Sequence, residues 1–148
     1  MSSESRRKQA KRILAEARTV AVLGAHPDPE RAAHYVPAYL HDKGYEILPV
    51  NVTKKGQNLW DRPVAARLDE VAGPVDVVDV FRASENLPGH VAEILAMEPL
   101  PDVVWFQKGI RHDEVARELE AHGIEVVKDA CMMEMHERLG LGTEDEGA

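Results

Sequence analysis

A turn rich in chemically capable side chains follows the first apolar run of the chain. Residues 20–23 are apolar and end on Gly24, after which Ala25 and His26 lead into a helical pattern. A strand, a glycine turn and a helix together bring the backbone to a phosphate at a helix N-terminus. No second or third glycine follows, so the G-x-G-x-x-G dinucleotide fingerprint is absent. The turn therefore predicts a nucleotide-type ligand that is not bound as a standard NAD.

Arginines stand at two other places where such a fold would collect cations around a ligand. Arg31 begins the helix after the turn and could add charge to a cradle of main-chain amides for pyrophosphate. Arg82, preceded by Phe81, follows an apolar strand pattern. For Arg31 and Arg82, ordinary surface charge is the alternative interpretation, and for Phe81 the alternative is packing in the core.

The end of the second predicted strand separates the candidate nucleotides. An NAD site places a carboxylate there to accept both ribose hydroxyls, but this chain has Asn51 and then the adjacent Lys54 and Lys55. Two lysines favour a phosphate on or near the ribose, which both NADP and coenzyme A carry. The missing glycines weigh against NADP. Solvated loop charge is the alternative for the two lysines.

The same first turn also permits a metal-based hypothesis. A-H-P-D-P-E at residues 25–30 resembles the His-Pro-Asp-Asp-Glu motif of zinc-dependent sugar deacetylases. In that motif the histidine and the second aspartate bind the metal, and the first aspartate acts as the base. Catalytic zinc needs three protein ligands and one open position. Here Pro29 replaces the second acid and cannot bind a metal, which leaves Asp28 as a base without its metal. The His26–Asp28 hydrolase is therefore the weaker alternative.

Cys131 is the single cysteine of the chain, which excludes an internal disulfide framework. It stands at the start of the last predicted helix, where a helix N-terminus can lower the pKa of a thiol. A buried, unreactive cysteine is the more common outcome, and the methionines beside it are typical of core packing.

Alternating strand and helix patterns position these residues. The predicted strands cover residues 20–23, 46–50, 75–80, 103–106 and 125–127, with a short extended piece near 63–65. The predicted helices cover 3 or 5 to 18, 32–43, 85–97, 113–122 and 131–138. This alternation indicates parallel pairing with right-handed crossovers. We expect an α/β, Rossmann-like, doubly wound sheet in the order 3-2-1-4-5, with a possible sixth strand.

Such a sheet binds ligands at the carboxyl ends of its strands, beside the point where the strand order reverses. Those ends present four short segments of the chain. They are Gly24-Ala25-His26, Pro49-Val50-Asn51, Phe81-Arg82 and Gln107.

Length and composition predict one ordinary globular domain. The chain has 148 residues, of which 44% are hydrophobic and 30% charged, as in soluble single-domain proteins. We expect an N-terminal helix at 1–18 packed on a domain at 19–141, and a flexible acidic tail at 142–148. The net charge of −8 argues against nucleic acid as a partner. No apolar window is long enough for a membrane span and no signal sequence is visible, so we expect a cytoplasmic protein.

Five motifs in order resemble the small stand-alone CoA-binding proteins, whose domain is similar to that of the succinyl-CoA synthetase α subunit. They are V-A-V-L-G-A at 20–25, Y-L-H-D-K-G-Y-E-I-L-P-V-N at 39–51, V-D-V-V-D-V-F-R at 75–82, W-F-Q-K-G-I at 105–110 and G-I-E-V-V-K-D-A-C at 123–131. The chain departs from the family pattern at His26, Lys108, Lys128 and Ala130. The phosphohistidine chemistry of the synthetase belongs to a domain that these motifs do not include.

This resemblance implies a Rossmann-like fold that holds coenzyme A or an acyl-CoA without a covalent bond. The residues it implies for binding lie at the first turn and at the ends of the second and fourth strands. They are Gly24, Ala25, His26, Arg31, Pro49, Asn51, Lys54, Lys55, Phe81 and Arg82. No residue pairing supports a catalytic assignment. We therefore expect a carrier, sensor or regulatory role, and the sequence indicates neither the acyl group nor a protein partner.

Overall fold

Parallel strands form the centre of the fold in residues 2–140, the part of the chain that the computed structural model describes. The strands are β1 Thr19–Leu23, β2 Glu46–Val50, β3 Asn58–Leu59, β4 Arg62–Pro63, β5 Val77–Val80, β6 Val103–Phe106 and β7 Glu125–Val127. Within this range the main sheet has five strands in the order β2-β1-β5-β6-β7, all parallel. The tail expected at 142–148 lies outside the described residues.

The predicted doubly wound topology is confirmed, with β7 as the sixth strand of the expected order. The expected third strand is reduced to a single parallel bridge between Val50 and Ala65. The Ala65 amide donates to the Pro49 carbonyl and the Asn51 amide donates to the Ala65 carbonyl, at 3.0 and 2.8 Å. The chain before this bridge instead folds back on itself as the antiparallel hairpin β3–β4.

Helices cover both faces of the sheet. They are α1 Ser3–Glu16, α2 Ala32–Asp42, α3 Val91–Leu95, α4 Asp113–Ala121 and α5 Met132–Arg138, with 3₁₀ turns at Val52–Lys54, Leu68–Glu70 and Ser84–His90. The apolar residues of α3 and α4 pack on one face and those of α1, α2 and α5 on the other. No helix among the described residues has the length and apolar character to cross a membrane.

Two helices differ from the sequence expectation for local reasons. The first is capped by Ser2, whose hydroxyl accepts the Ser5 amide at 3.1 Å, and it ends at Glu16 because Ala17 is extended. The helix expected at 85–97 is a 3₁₀ segment followed by the short α3. Pro88 and Gly89 lie at the junction, and both residue types disfavour a regular α-helix interior.

Every residue of β5 and β6 is buried, as expected for strands covered on both faces. Alternate residues of β5 point to opposite faces, so Val78 and Val80 join the α3–α4 face while Val77 joins the other. Asp79 is the charged residue among these otherwise apolar strand positions, and its side chain is completely buried. Its neighbours in register are Val22 on β1 and Trp105 on β6.

Candidate functional site

Gly24 brings the ends of β1 and β5 into close contact. Its φ is +97°, a conformation that side chains with a Cβ rarely adopt. A Cβ at this position would lie 2.8 Å from the Phe81 carbonyl oxygen and 3.4 Å from Cδ of Arg82. The absence of a side chain therefore places two of the expected binding residues directly against the first turn.

The backbone amides at the start of this turn are already hydrogen-bonded within the protein. The Gly24 and Ala25 amides donate to the Val50 carbonyl at 2.8 and 3.2 Å, and the His26 amide donates to the Ala33 carbonyl at 3.3 Å. The sequence led us to expect these amides to face a pyrophosphate. The donors that a helix cannot satisfy from within lie further on, in the first turn of α2.

Pro37 explains why the Ala33 carbonyl accepts a bond from outside the helix. The helix α2 begins at Ala32 and includes this proline. A residue at position 37 would normally donate to the carbonyl of residue 33, and proline has no N–H to do so. The His26 amide takes the vacant acceptor, so the proline couples the turn to α2.

Asp28 organises the second half of the turn. Its side chain accepts the Glu30 amide at 3.0 Å, and its carbonyl accepts the Arg31 amide at 3.1 Å. The Arg31 guanidinium lies 3.9 Å from the Asp28 carboxylate, and both side chains are exposed. This arrangement keeps the Arg31 side chain beside the turn that precedes α2.

The β2 end is tied to the first turn by Asn51. Its Nδ2 donates to the Ala25 carbonyl at 2.8 Å, and its Oδ1 accepts both the amide and the hydroxyl of Thr53, at 3.0 and 2.9 Å. These bonds hold the 3₁₀ turn that carries Lys54, which is half-buried, while Lys55 is exposed. Pro49 is buried within β2 itself.

His26 lies in a positively charged environment. The pKa of its imidazole is lowered first by burial, then by the nearby charges of Arg31 and Lys54, while Asp28 acts in the opposite direction. The Asp28 amide donates to His26 Nδ1 at 3.1 Å, so that nitrogen is unprotonated. The turn thus joins a neutral imidazole to two cations, an arrangement that favours a negatively charged ligand.

The strand ends further along the sheet are engaged elsewhere. Gln107 after β6 is buried, and its Oε1 accepts the Met132 amide at 3.1 Å. Lys108 lies 3.5 Å from Glu134, and Lys128 lies 3.5 Å from Asp113. The expected site residues therefore group around β1, β2 and β5, while these two lysines form ion pairs on the β6–β7 side.

Sequence reasoning missed three residues near this group. Asp79 interrupts the apolar run of β5, and that interruption was a visible signal of something unusual. Burial raises the pKa of its carboxyl well above the usual range, and neither oxygen has a hydrogen-bond partner among the described residues. His34 and Trp60 pack their rings together, with centroids 5.3 Å apart. No local sequence pattern predicts that contact, because it joins α2 to the β3–β4 hairpin, which is distant in the sequence.

The remaining candidates for chemistry give no assembled centre. Within residues 2–140, no group of three or more His, Cys, Asp or Glu side chains is arranged to hold a metal ion. His26 instead uses its Nδ1 within the turn. Cys131 is buried and stands at the position immediately before α5.

Comparisons with known proteins match this chain along most of its length. A model of the family described as "CoA binding domain" matches residues 18–137. The uncharacterized protein YneT of Bacillus subtilis is 38% identical over 128 residues, covering 86% of this chain and 92% of its own length. A solved structure from Thermus thermophilus is 46% identical with a TM-score of 0.85, covering 90% of this chain and 98% of its own. A hypothetical protein from Pyrococcus horikoshii is 29% identical with a TM-score of 0.81, covering 90% and 91%.

Proposed function

The chain belongs to the CoA binding domain family, and from this premise we propose that it binds coenzyme A or an acyl-CoA non-covalently. The proposed site lies at the carboxyl ends of β1, β2 and β5. The observation that carries the proposal is the grouping of Arg31 and Lys54 around the turn that begins at Gly24. Such a grouping suits a ligand with several phosphates in a chain whose net charge is −8.

Each part of the nucleotide has a group of matching chemistry in this proposal. Amides in the first turn of α2 and the Arg31 guanidinium hold the pyrophosphate. Lys54 or Lys55 pairs with the phosphate on the ribose. Phe81 and Arg82 line the adenine side or the crevice beside β1. Gly24, Ala25, His26, Pro49 and Asn51 form the backbone frame between these groups.

We assign the chain a carrier, sensor or regulatory role. The groups of the turn that could act as a base are used to hold its shape, since His26 Nδ1 and the Asp28 carboxylate both accept backbone amides. The unprotonated Nδ1 holds the one available lone pair of the neutral His26 ring, so taking a substrate proton there would break its bond to the Asp28 amide.

Calorimetric titration of the metal-free protein tests the proposal. We expect micromolar binding of coenzyme A and weaker binding of 3′-dephospho-CoA, because the lysines lose their phosphate partner. NADP and NAD serve as competing nucleotides. Absence of binding to coenzyme A would refute the proposed function, and tighter binding of NADP would replace it with the alternative dinucleotide.

A triple variant tests the assigned cations. We expect Lys54→Ala with Lys55→Ala and Arg82→Ala to weaken coenzyme A binding at least tenfold, a loss of about 1.4 kcal/mol. The matched control removes three exposed cations from α1, namely Arg7, Lys8 and Lys11, and changes the net charge equally. The site assignment fails if the first variant binds normally, or if both variants lose affinity to the same extent.

A further inference from the structure

The turn of the β3–β4 hairpin has an unfavourable sequence for its shape. Leu59 pairs with Arg62, so Trp60 and Asp61 alone form the loop, with φ of +52° and +69°. Positive φ at both loop positions defines a type I′ turn, which prefers Asn-Gly. A tryptophan in this left-handed conformation is a rare and strained choice. Such strain persists where the side chain is needed for something other than the turn itself.

Both loop side chains contact the same face of α2. The Trp60 ring packs against the His34 ring at a centroid distance of 5.3 Å and an angle of 47°. The Asp61 carboxylate lies 3.7 Å from Nε2 of His41. His34 and His41 are seven residues apart, which places them on one face of the helix. The hairpin turn therefore docks on α2 through two adjacent contacts.

His34 connects this contact to the turn that begins at Gly24. Its Nδ1 lies 2.9 Å from the His26 carbonyl oxygen. A carbonyl only accepts, so Nδ1 carries the hydrogen and donates it. The His26 amide is held by the Ala33 carbonyl. Both backbone groups of His26 are thus fixed to α2, and one of the two attachments rests on the ring that Trp60 covers.

We propose that Trp60 is a positioning residue, which orients His34 and thereby holds residues 24–31 in the conformation that binds the anionic ligand. The ligand part rests on the proposed function, whereas the positioning of the turn does not. Trp60 has no assigned contact with the ligand. Its effect on affinity passes through the His34 ring and the His26 carbonyl.

A variant can remove the Trp60 ring and at the same time give the hairpin a more favourable turn sequence. Such a variant distinguishes a positioning role of Trp60 from a contribution to overall stability. Trp60→Asn with Asp61→Gly installs the favoured type I′ pair, so we expect the hairpin to form and the melting temperature to change little. We expect coenzyme A to bind at least tenfold more weakly. Asp61→Gly alone is the matched control, and we expect it to bind within twofold of the unmodified chain because Trp60 remains.

Two further, independent measurements test whether the effect of Trp60 passes through His34 to the turn. In a His34→Asn background the Trp60→Asn, Asp61→Gly change should have no additional effect on affinity, since the ring it acts through is gone. In the ligand-free protein, amide hydrogen exchange at His26 should be at least tenfold faster in the Trp60→Asn, Asp61→Gly variant.

The outcomes distinguish this inference from the proposed function. Unchanged exchange at His26 overturns the positioning role, whether or not coenzyme A binds. Faster exchange with unchanged affinity overturns its importance for the ligand. If the unmodified chain binds no coenzyme A, the proposed function fails, and the exchange measurement still decides whether Trp60 holds the turn.

Discussion

Replacing Gly24 by alanine is expected to lower the free energy of unfolding by about 2–5 kcal/mol. The left-handed backbone costs an L-residue about 1–2 kcal/mol, and forcing a methyl group into a packed position adds about 1–3 kcal/mol. The new Cβ would meet the Phe81 carbonyl oxygen at 2.8 Å, and this backbone cannot move aside cheaply because the Phe81 amide is bonded to the Leu23 carbonyl at 2.9 Å. Denaturant unfolding monitored by circular dichroism measures the change.

Gly123→Ala is the matched control for this prediction. Its φ is +85°, close to that of Gly24, but a Cβ there would have no atom within 4 Å. It therefore carries the backbone cost alone, and we expect a loss of about 1–2 kcal/mol. If the two alanine variants unfold at the same denaturant concentration with equal slopes, the close approach of Phe81 has no energetic importance.

The second large effect concerns Asp79, which makes stability depend on pH. In the unfolded chain its carboxyl ionises at the ordinary value near ~4, whereas burial raises its pKa well above that in the folded protein. Between these two values the folded state holds one more proton. The contribution to stability is therefore fully present below the unfolded pKa and is lost as pH rises towards the folded pKa. The slope is up to about 1.4 kcal/mol for each pH unit.

Asp79→Asn removes this slope, because an amide does not titrate. We expect the stability of the variant relative to the unmodified chain to increase with pH above about pH 5, at up to about 1.4 kcal/mol per pH unit, until the Asp79 carboxyl of the folded protein ionises. Only the slope is interpreted, since any constant cost of burying the amide cancels. Asp102→Asn makes the same substitution at an exposed position and is the matched control. A flat difference for Asp79→Asn would mean that its carboxyl ionises normally in the folded protein.

Most of the fold could be predicted because buried parallel strands leave a strong local pattern. The bounds of β2, β6 and β7 match the predicted ranges residue for residue. The helix expected at 85–97 was wrong in its first half, where Pro88 and Gly89 override the apolar spacing. Strand order followed from the alternation of strands and helices, which allows few topologies.

The candidate site could be located from the sequence, but its hydrogen bonding could not. Strand ends and cations are local features, so Arg31, Lys54 and Arg82 could be proposed directly from the sequence. The acceptor of the His26 amide depends on a proline eleven positions later, and the support of His34 depends on a tryptophan in the left-handed region. Neither dependence follows a helical or strand period, and the second contradicts the ordinary preference of its residue type.

The central position of β1 has a consequence for the order in which the protein is completed during synthesis. β1 leaves the ribosome before both of the strands that flank it, β2 and β5. The hydrogen bond of the Gly24 amide cannot form until Val50 has been synthesised. The close packing at Gly24 cannot form until Phe81 has been synthesised. The turn that begins at Gly24 is therefore synthesised early, but its contacts are complete only after more than half of the chain has emerged. A nascent chain halted before Phe81 would carry the glycine turn without the strand that closes it.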